Sequence, residues 1–116
     1  MPTLKKTSNE ANIQSAVLDL LAIKEKQREL MYWRSNNIQP SGIKKDGKRF
    51  FYKANVHAKK GIPDIIVIKD GFFIGLEIKD KEKQSDGQKE FEKLVKQNGG
   101  EYHIIKSVDQ LKEIGL

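Results

Sequence analysis

Residues 61–79 read GIPDIIVIKDGFFIGLEIK, and in this stretch two apolar, β-branched runs flank the pair Asp70–Gly71. An Asp-Gly pair between such runs predicts a hairpin of two antiparallel strands joined by a two-residue turn. With that turn, Asp64 and Glu77 lie directly opposite each other, and opposed residues have Cβ atoms about 5 Å apart. A three-residue loop with a bulge would instead shift the pairing by one residue.

Side-chain alternation along the hairpin predicts one apolar face and one face that carries charge. The apolar face would comprise Ile65, Val67, Phe72, Ile74, Leu76 and Ile78, with Lys69 at the turn. The other face would carry Asp64, Ile66, Ile68, Phe73, Gly75, Glu77 and Lys79. Asp opposite Glu is repulsive, and a divalent cation would offset the repulsion because Mg²⁺ favours carboxylate oxygens and water. The alternative is a solvated polar face on which Lys79 screens the two acids.

Length and composition restrict the class of protein. A chain of 116 residues suits one domain, residues 1–116, with a modest core. The net charge of +6 and the pI of about 9.5 favour a polyanionic partner. The lack of Cys excludes disulfides and thiolate metal sites and suits a reducing compartment. No apolar run approaches the ~20 residues of a membrane span, and residues 1–10 lack a signal-peptide core, so we expect a cytoplasmic protein without a membrane partner.

The excess positive charge is concentrated in one segment, residues 43–60. Its seven basic residues against the single acid Asp46 give it the charge of the whole chain, +6. Asp46–Gly47 predicts a second turn, followed by an aromatic strand over 49–52. We expect this basic segment to grip phosphates of a nucleic acid, although a solvated charged loop is the alternative. The basic residues are Lys44, Lys45, Lys48, Arg49, Lys53, Lys59 and Lys60.

Capping patterns predict two principal helices. The first would run from Thr7 to about Lys24, with Glu10 completing a capping box. The second would begin after Ser85, with Gln88 as its capping-box partner, and would end at Gly99–Gly100.

The remaining segments predict short elements. Residues 30–34 read as a strand in which Trp33 belongs to the core, and residues 36–42 read as a loop. Residues 102–105 form a further strand, and Ser107 caps a last short helix. His57 and His103 are interpreted as structural. The resulting order of helices and strands fits a mixed sheet with helices on its faces.

The motif residues resemble a known superfamily. Pro63–Asp64 followed by Glu77-Ile78-Lys79 reads P-D…E-x-K, which is similar to the signature of the PD-(D/E)XK nucleases. The preceding Gly61 and the later Gln88 resemble the VRR-NUC domain family, in its stand-alone single-domain form. The resemblance covers about residues 7–108. It implies an α/β (α+β) fold with a mixed central sheet flanked by helices, like that of restriction endonucleases.

The resemblance also implies the roles of the site residues. Asp64 and Glu77 would hold Mg²⁺ or Mn²⁺, with the backbone carbonyl of Ile78 as a third ligand. Lys79 would orient or deprotonate the attacking water, or stabilise the charge that develops on phosphorus. Gln88 would lie at the active site, and Glu10 on the first helix would assist the metal. Both of these last residues have a simpler interpretation as helix caps.

The activity implied is that of a metal-dependent DNA endonuclease. Stand-alone VRR-NUC proteins resemble resolvases of four-way (Holliday) junctions and act as homodimers, and small nucleases from viruses or mobile elements often look like this chain. A junction presents two symmetric strands, which suits a two-fold dimer with one site per chain. Two alternatives stay open. One is a non-catalytic DNA-binding module with a relic nuclease cleft, and the other is a structural or interaction protein with a polar-faced hairpin.

Overall fold

The computed structural model describes residues 9–35, 41–43, 45–51 and 59–116. These residues form a mixed α/β structure, which confirms the predicted fold class. A four-stranded sheet has the order β1-β4-β5-β6, with β6 parallel to β5 and the other neighbours antiparallel, and β2 pairs separately with β3. In chain order the elements are α1 (Asn9–Lys26), β1 (Met31–Arg34), β2 (Ser41–Ile43), β3 (Arg49–Phe51), β4 (Ile65–Lys69), β5 (Phe72–Ile78), α2 (Asp86–Gln97), β6 (Glu101–Ile105) and α3 (Gln110–Glu113).

The central hairpin has the predicted register. Ile65 pairs with Leu76 and Lys69 pairs with Phe72. The turn residues Asp70 and Gly71 have φ values of +52° and +82°, and positive φ at both central positions is the type I′ geometry that Asp-Gly favours. The register therefore extends to place Asp64 next to Glu77, just beyond the start of β4.

The core lies on one face of the sheet, against α1 and α3. It joins Val17 and Leu21 of α1 and Leu111 of α3 to the inward residues of the hairpin, which are Ile65, Val67, Ile74, Leu76 and Ile78. Phe72 shares this face by strand alternation, but the prediction that it belongs to the core was wrong, because Phe72 is 57% exposed. It is the first residue after the turn, where the sheet extends past the core cluster.

Two predictions about the short strands were also wrong. Trp33 was assigned to the core but is 43% exposed, because it lies on edge strand β1, opposite Ile66, on the face away from the core. The loop predicted over residues 36–42 does not extend to Ser41 and Gly42, which belong to β2, since Ser41 pairs with Phe51 across the turn at Asp46–Gly47. That turn is formed as predicted, with the Lys48 N–H donating to Asp46 Oδ1 at 2.9 Å.

The helices largely follow the predicted pattern. α2 begins at the predicted cap, Ser85, but α3 does not use Ser107: its N-cap is Asp109, which makes no side-chain cap bond. Instead, the Ser107 N–H donates to Gln110 Oε1 at 3.0 Å. Among the described helices, none is long and apolar enough to span a membrane. The predicted cap Thr7, the end of the aromatic strand at Tyr52, and His57 lie outside the described residues.

Edge strand β1 is tied to the last turn of α1 and to the segment that leads into β4. The Tyr32 N–H donates to Glu25 Oε2 at 3.2 Å. At the other end of β1, the Ser35 N–H donates to the backbone oxygen of Asp64 at 2.9 Å, and the Ser35 hydroxyl donates to the backbone oxygen of Pro63. These bonds fix the chain that leads into β4.

Candidate active site

Asp64 and Glu77 converge at the open end of the central hairpin. The Ile78 N–H donates to Asp64 Oδ2 at 2.8 Å, so the Asp64 side chain turns toward the strand that carries Glu77. Ser35 holds the backbone on the other side of Asp64. The two acids, which are far apart in sequence, therefore share one side of the sheet, as the turn predicted.

Glu77 is an acid in a setting that disfavours its charge. Its residue is only 3% exposed. Burial, then the charge of Asp64, raise the pKa of Glu77 to about 7, although the Lys79 ammonium opposes the shift. The close approach of the Asp64 carboxyl group acts in the same direction as burial. Burial and the charge of Asp64 thus favour the neutral form of Glu77, and added positive charge nearby would favour its carboxylate.

Lys79 is the cation closest to this pair among the described ion pairs. Its Nζ lies 3.8 Å from Glu77 Oε1 and 3.7 Å from Glu82 Oε2. The Lys79 side chain is 11% exposed, whereas that of Glu82 is 68% exposed. The ammonium is thus held inside the site by Glu77, with Glu82 at the solvent side.

Gln88 serves both as a helix cap and as a site residue. Its Oε1 accepts from the Ser85 N–H at 2.9 Å, and its own N–H donates to Ser85 Oγ at 3.2 Å, which completes the predicted capping box. Its Nε2 donates to Glu77 Oε1 at 2.8 Å. The two readings made from the sequence are therefore compatible, because one side-chain amide has a donor and an acceptor end.

Glu10 is placed near the same cluster by α1. Partial burial raises the pKa of Glu10, followed by the negative charges of Glu82 and Asp64, while the Lys79 ammonium opposes them. Glu10 thus adds to the negative potential that Asp64 and Glu77 create.

Sequence reasoning missed Tyr102 and Ser35. Tyr102 is 3% exposed, and its hydroxyl donates to Glu77 Oε2 at 3.5 Å, the long end of the hydrogen-bond range. Tyr102 lies opposite Gly75 because β6 runs parallel to β5. A parallel register is set by the crossover through α2 and has no local signal, so the sequence alone did not bring Tyr102 to Glu77.

Two glycines let the backbone close around the site. A Cβ on Gly61, whose φ is +75°, would lie 2.2 Å from the backbone oxygen of Gly87. The loop before β4 therefore packs directly on the first turn of α2. A Cβ on Gly75 would lie 2.8 Å from Pro63 Cγ. Glycine at both positions holds Gln88 and Asp64 close to Glu77.

The predicted basic residues are only partly described. Lys59 and Lys60 are exposed and line a polar pocket with Gly61, Ile62, Ser85 and Gln88. Lys45 and Lys48 are exposed at the turn between β2 and β3, and Arg49 begins β3. Lys44 and Lys53 lie outside the described residues. Two of the seven predicted contacts to nucleic acid thus lie beside the residue that touches Glu77.

The donors at this site suit a small oxygen-binding cation. Asp64 and Glu77 supply carboxylates, and Ile78, which follows Glu77 in the chain, carries the backbone oxygen predicted as a third ligand. Within the described residues, no three His, Cys, Asp or Glu side chains are grouped closely enough to hold an ion by themselves. Mg²⁺ commonly uses only one or two carboxylates and completes its shell with water and phosphate. The raised pKa of Glu77 marks a place where added positive charge is favourable.

No protein-family model matches this chain, and no curated protein matches it significantly. The resemblance to the VRR-NUC family therefore stays a prediction from the motif residues.

Proposed function

We propose that this protein is a metal-dependent DNA endonuclease that hydrolyses phosphodiester bonds. The observation that supports the proposal best is the meeting of Asp64, Glu77, Lys79 and Gln88 from three separate elements in one partly buried site. Buried charges stabilise a fold only weakly. A cluster of two acids, one ammonium and one amide is therefore better explained by a function than by stability.

Each of these residues has a definite role in the proposal. Asp64, Glu77 and the backbone oxygen of Ile78 would hold Mg²⁺ or Mn²⁺, which when bound supplies charge neutralisation and a more acidic water. Lys79 donates a hydrogen bond toward the scissile phosphate or its attacking water, because its ammonium is held at the edge of the carboxylate pair. Gln88 and Tyr102 bind the two oxygens of Glu77 and orient its carboxylate. Glu10 adds negative potential from α1.

The substrate proposed is branched DNA, with four-way junctions as the favoured class and a homodimer as the acting form. The net charge of +6 supports a polyanionic substrate. Two symmetric strands at a junction match two identical sites related by a two-fold axis. Sedimentation at assay concentrations tests this part separately, since a pure monomer contradicts paired cleavage.

A single assay tests the activity. The protein is incubated with linear, flapped and four-way DNA in the presence of Mg²⁺, Mn²⁺ or EDTA. We expect metal-dependent cleavage, and a loss of at least about 100-fold in Asp64→Asn, Glu77→Gln and Lys79→Met. Asp19→Asn, which removes an exposed acid on α1, is the matched control and keeps the parental rate.

Three outcomes of this assay distinguish the alternatives. Cleavage by the site variants at the parental rate contradicts the site assignment. Salt-sensitive DNA binding without metal-stimulated cleavage supports the non-catalytic binding module. The absence of salt-sensitive DNA affinity supports a structural or interaction protein.

A further inference from the structure

An apolar groove lies between α2 and the start of β5. Phe73 of β5 and Phe91, Leu94 and Val95 of α2 form its walls, Gly100 lies at its base, and Lys59 lies at its rim. Its volume of about 360 Å³ falls at the low end of the ~300–1,000 Å³ range of small-molecule clefts. The groove is therefore large enough for a planar aromatic ring.

The apolar side chains of the groove are incompletely covered. α2 has no buried residue, and Leu94 is 40% exposed. Phe73 and Phe91 are each half-buried, so their rings are only partly packed by the rest of the protein. Exposed apolar surface of this kind next to a charged rim is typical of a binding site rather than of a solvated face.

The groove lies beside the candidate active site. Lys59 lines both the groove and the polar pocket that contains Lys60, Ser85 and Gln88. Gln88 in turn contacts Glu77. Phe73 precedes Glu77 by four residues on β5, which corresponds to about 13 Å along the strand. A short stretch of unpaired nucleic acid spans that distance.

We propose that this groove binds a nucleobase of an unpaired DNA strand whose backbone passes Lys59 and Lys60 on its way to Asp64 and Glu77. The inference rests on the proposed nuclease function and deepens it, because it requires one base near the cleavage site of the branched DNA to be unpaired when the strand is bound. Bases stack on aromatic side chains irrespective of sequence. Bases inside a duplex are stacked on each other and cannot enter the groove.

Charge favours this occupant over a second copy of the chain. Two exposed ammonium groups beside the groove attract a polyanionic backbone. In a two-fold contact through this groove, Lys59 and Lys60 of both copies would face each other, so like charge opposes a second copy at this face.

Binding in EDTA tests the groove without any cleavage. Fluorescence anisotropy compares a labelled oligothymidylate with an abasic strand of the same length. We expect the parent protein to bind the base-bearing strand about ten-fold more tightly. Leu94→Ala and Phe73→Leu reduce this ratio at least about three-fold, while circular dichroism confirms that they stay folded. Ile23→Ala is the matched control, because it truncates a 53% exposed aliphatic side chain on α1.

The outcomes separate this inference from the proposed function. Equal affinity for the two strands, or a ratio that Leu94→Ala and Phe73→Leu leave unchanged, overturns the groove and leaves the nuclease untouched. Base-dependent binding by a protein that cuts no DNA supports the groove and contradicts the nuclease. A change from dimer to monomer on Leu94→Glu, with base dependence unchanged, identifies the groove as a contact between copies and overturns the inference.

Discussion

Ionisation of the Glu77 carboxyl group destabilises the folded protein. Its pKa is about 7 in the folded protein against an ordinary value of 4.5, mainly because it is buried and lies beside Asp64. Between these values the folded protein holds a proton that the unfolded chain has released. In the absence of metal, stability therefore falls as pH rises through this window.

We expect the parent protein to lose on the order of 2 kcal/mol more stability than Glu77→Gln between about pH 5 and about pH 8. Urea denaturation in EDTA at the two pH values measures this difference. Asp19→Asn, the exposed acid on α1, keeps the parental pH dependence. Parallel pH profiles for the parent and Glu77→Gln would contradict the assigned shift.

Ser85 and Gln88 allow capping and chemistry to be separated. Ser85→Ala removes one capping bond and leaves the Gln88–Glu77 bond intact, so we expect a stability loss of about 1 kcal/mol with cleavage retained. Gln88→Ala removes the other capping bond together with the donor to Glu77. We expect a similar loss of stability, accompanied by a fall in cleavage rate of about 10-fold or more. Thermal denaturation and cleavage rates are measured on both variants.

Equal cleavage rates for Ser85→Ala and Gln88→Ala would show that Gln88 is only a cap.

The sequence predicts which residues meet across a tight turn, but it does not predict which residues meet across a crossover between parallel strands. Asp64 and Glu77 could be paired because the Asp70–Gly71 turn sets their register locally. Tyr102 could not be paired with Glu77 in this way, since its position depends on the length and packing of the crossover through α2 between β5 and β6. The exposure of Trp33 was also hidden, because an apolar residue on an edge strand has the same local pattern as one in a core.

At the scale of elements, the close packing of the loop before β4 on α2 holds the site together. Gly61→Ala combines strain at φ +75° with a Cβ 2.2 Å from the Gly87 backbone oxygen. We expect it to displace the first turn of α2, to cost more than about 2 kcal/mol of stability, and to abolish cleavage. Gly99→Ala has a similar φ, +84°, but no atom within 4 Å of the added Cβ. It therefore isolates backbone strain, at about 1 kcal/mol.

Equilibrium unfolding and cleavage rates for the two glycine variants check this prediction. Equal losses in both variants would show that the contact with Gly87 does not matter.

Elements with strong local signals were predicted well, and those that depend on a distant partner were not. The capping box of Ser85 and Gln88 located the start of α2, because both halves of the box are close in sequence. β2 was missed, since residues 41–43 become a strand only through pairing with β3. The cap of α3 was misassigned because Gln110, rather than Ser107, supplies the side-chain acceptor.

At the scale of the whole molecule, the position of positive charge matters more than its total. Lys59→Ala combined with Lys60→Ala removes two cations beside Gln88 and should lower the slope of log K against log salt by about 1.5 for single-stranded DNA. Lys106→Ala with Lys112→Ala makes the same change in net charge with two exposed lysines near α3. We expect this control pair to leave most of the slope unchanged.

Anisotropy titrations at several salt concentrations compare the two double variants. The same slope for both would mean that binding follows net charge alone.

The overall architecture could be predicted because the helices and most strands have clear local sequence patterns. The candidate site could be predicted only by combining the register set by the Asp70–Gly71 turn with the P-D…E-x-K motif. The groove beside α2 could not be predicted from the sequence, because it forms where Phe73 and Leu94, from different elements, leave a gap between them.

The carboxylate of Glu25 has a consequence for the behaviour of concentrated protein. β1 is an outer strand with Met31 and Trp33 exposed, which would make it a template for another molecule's strand and for fibril growth. Glu25 accepts from the outward N–H of Tyr32 and places a negative charge along this border. A strand of another molecule must displace the Glu25 carboxylate before it can pair with β1. Glu25 therefore opposes amyloid-like stacking at this edge of the sheet.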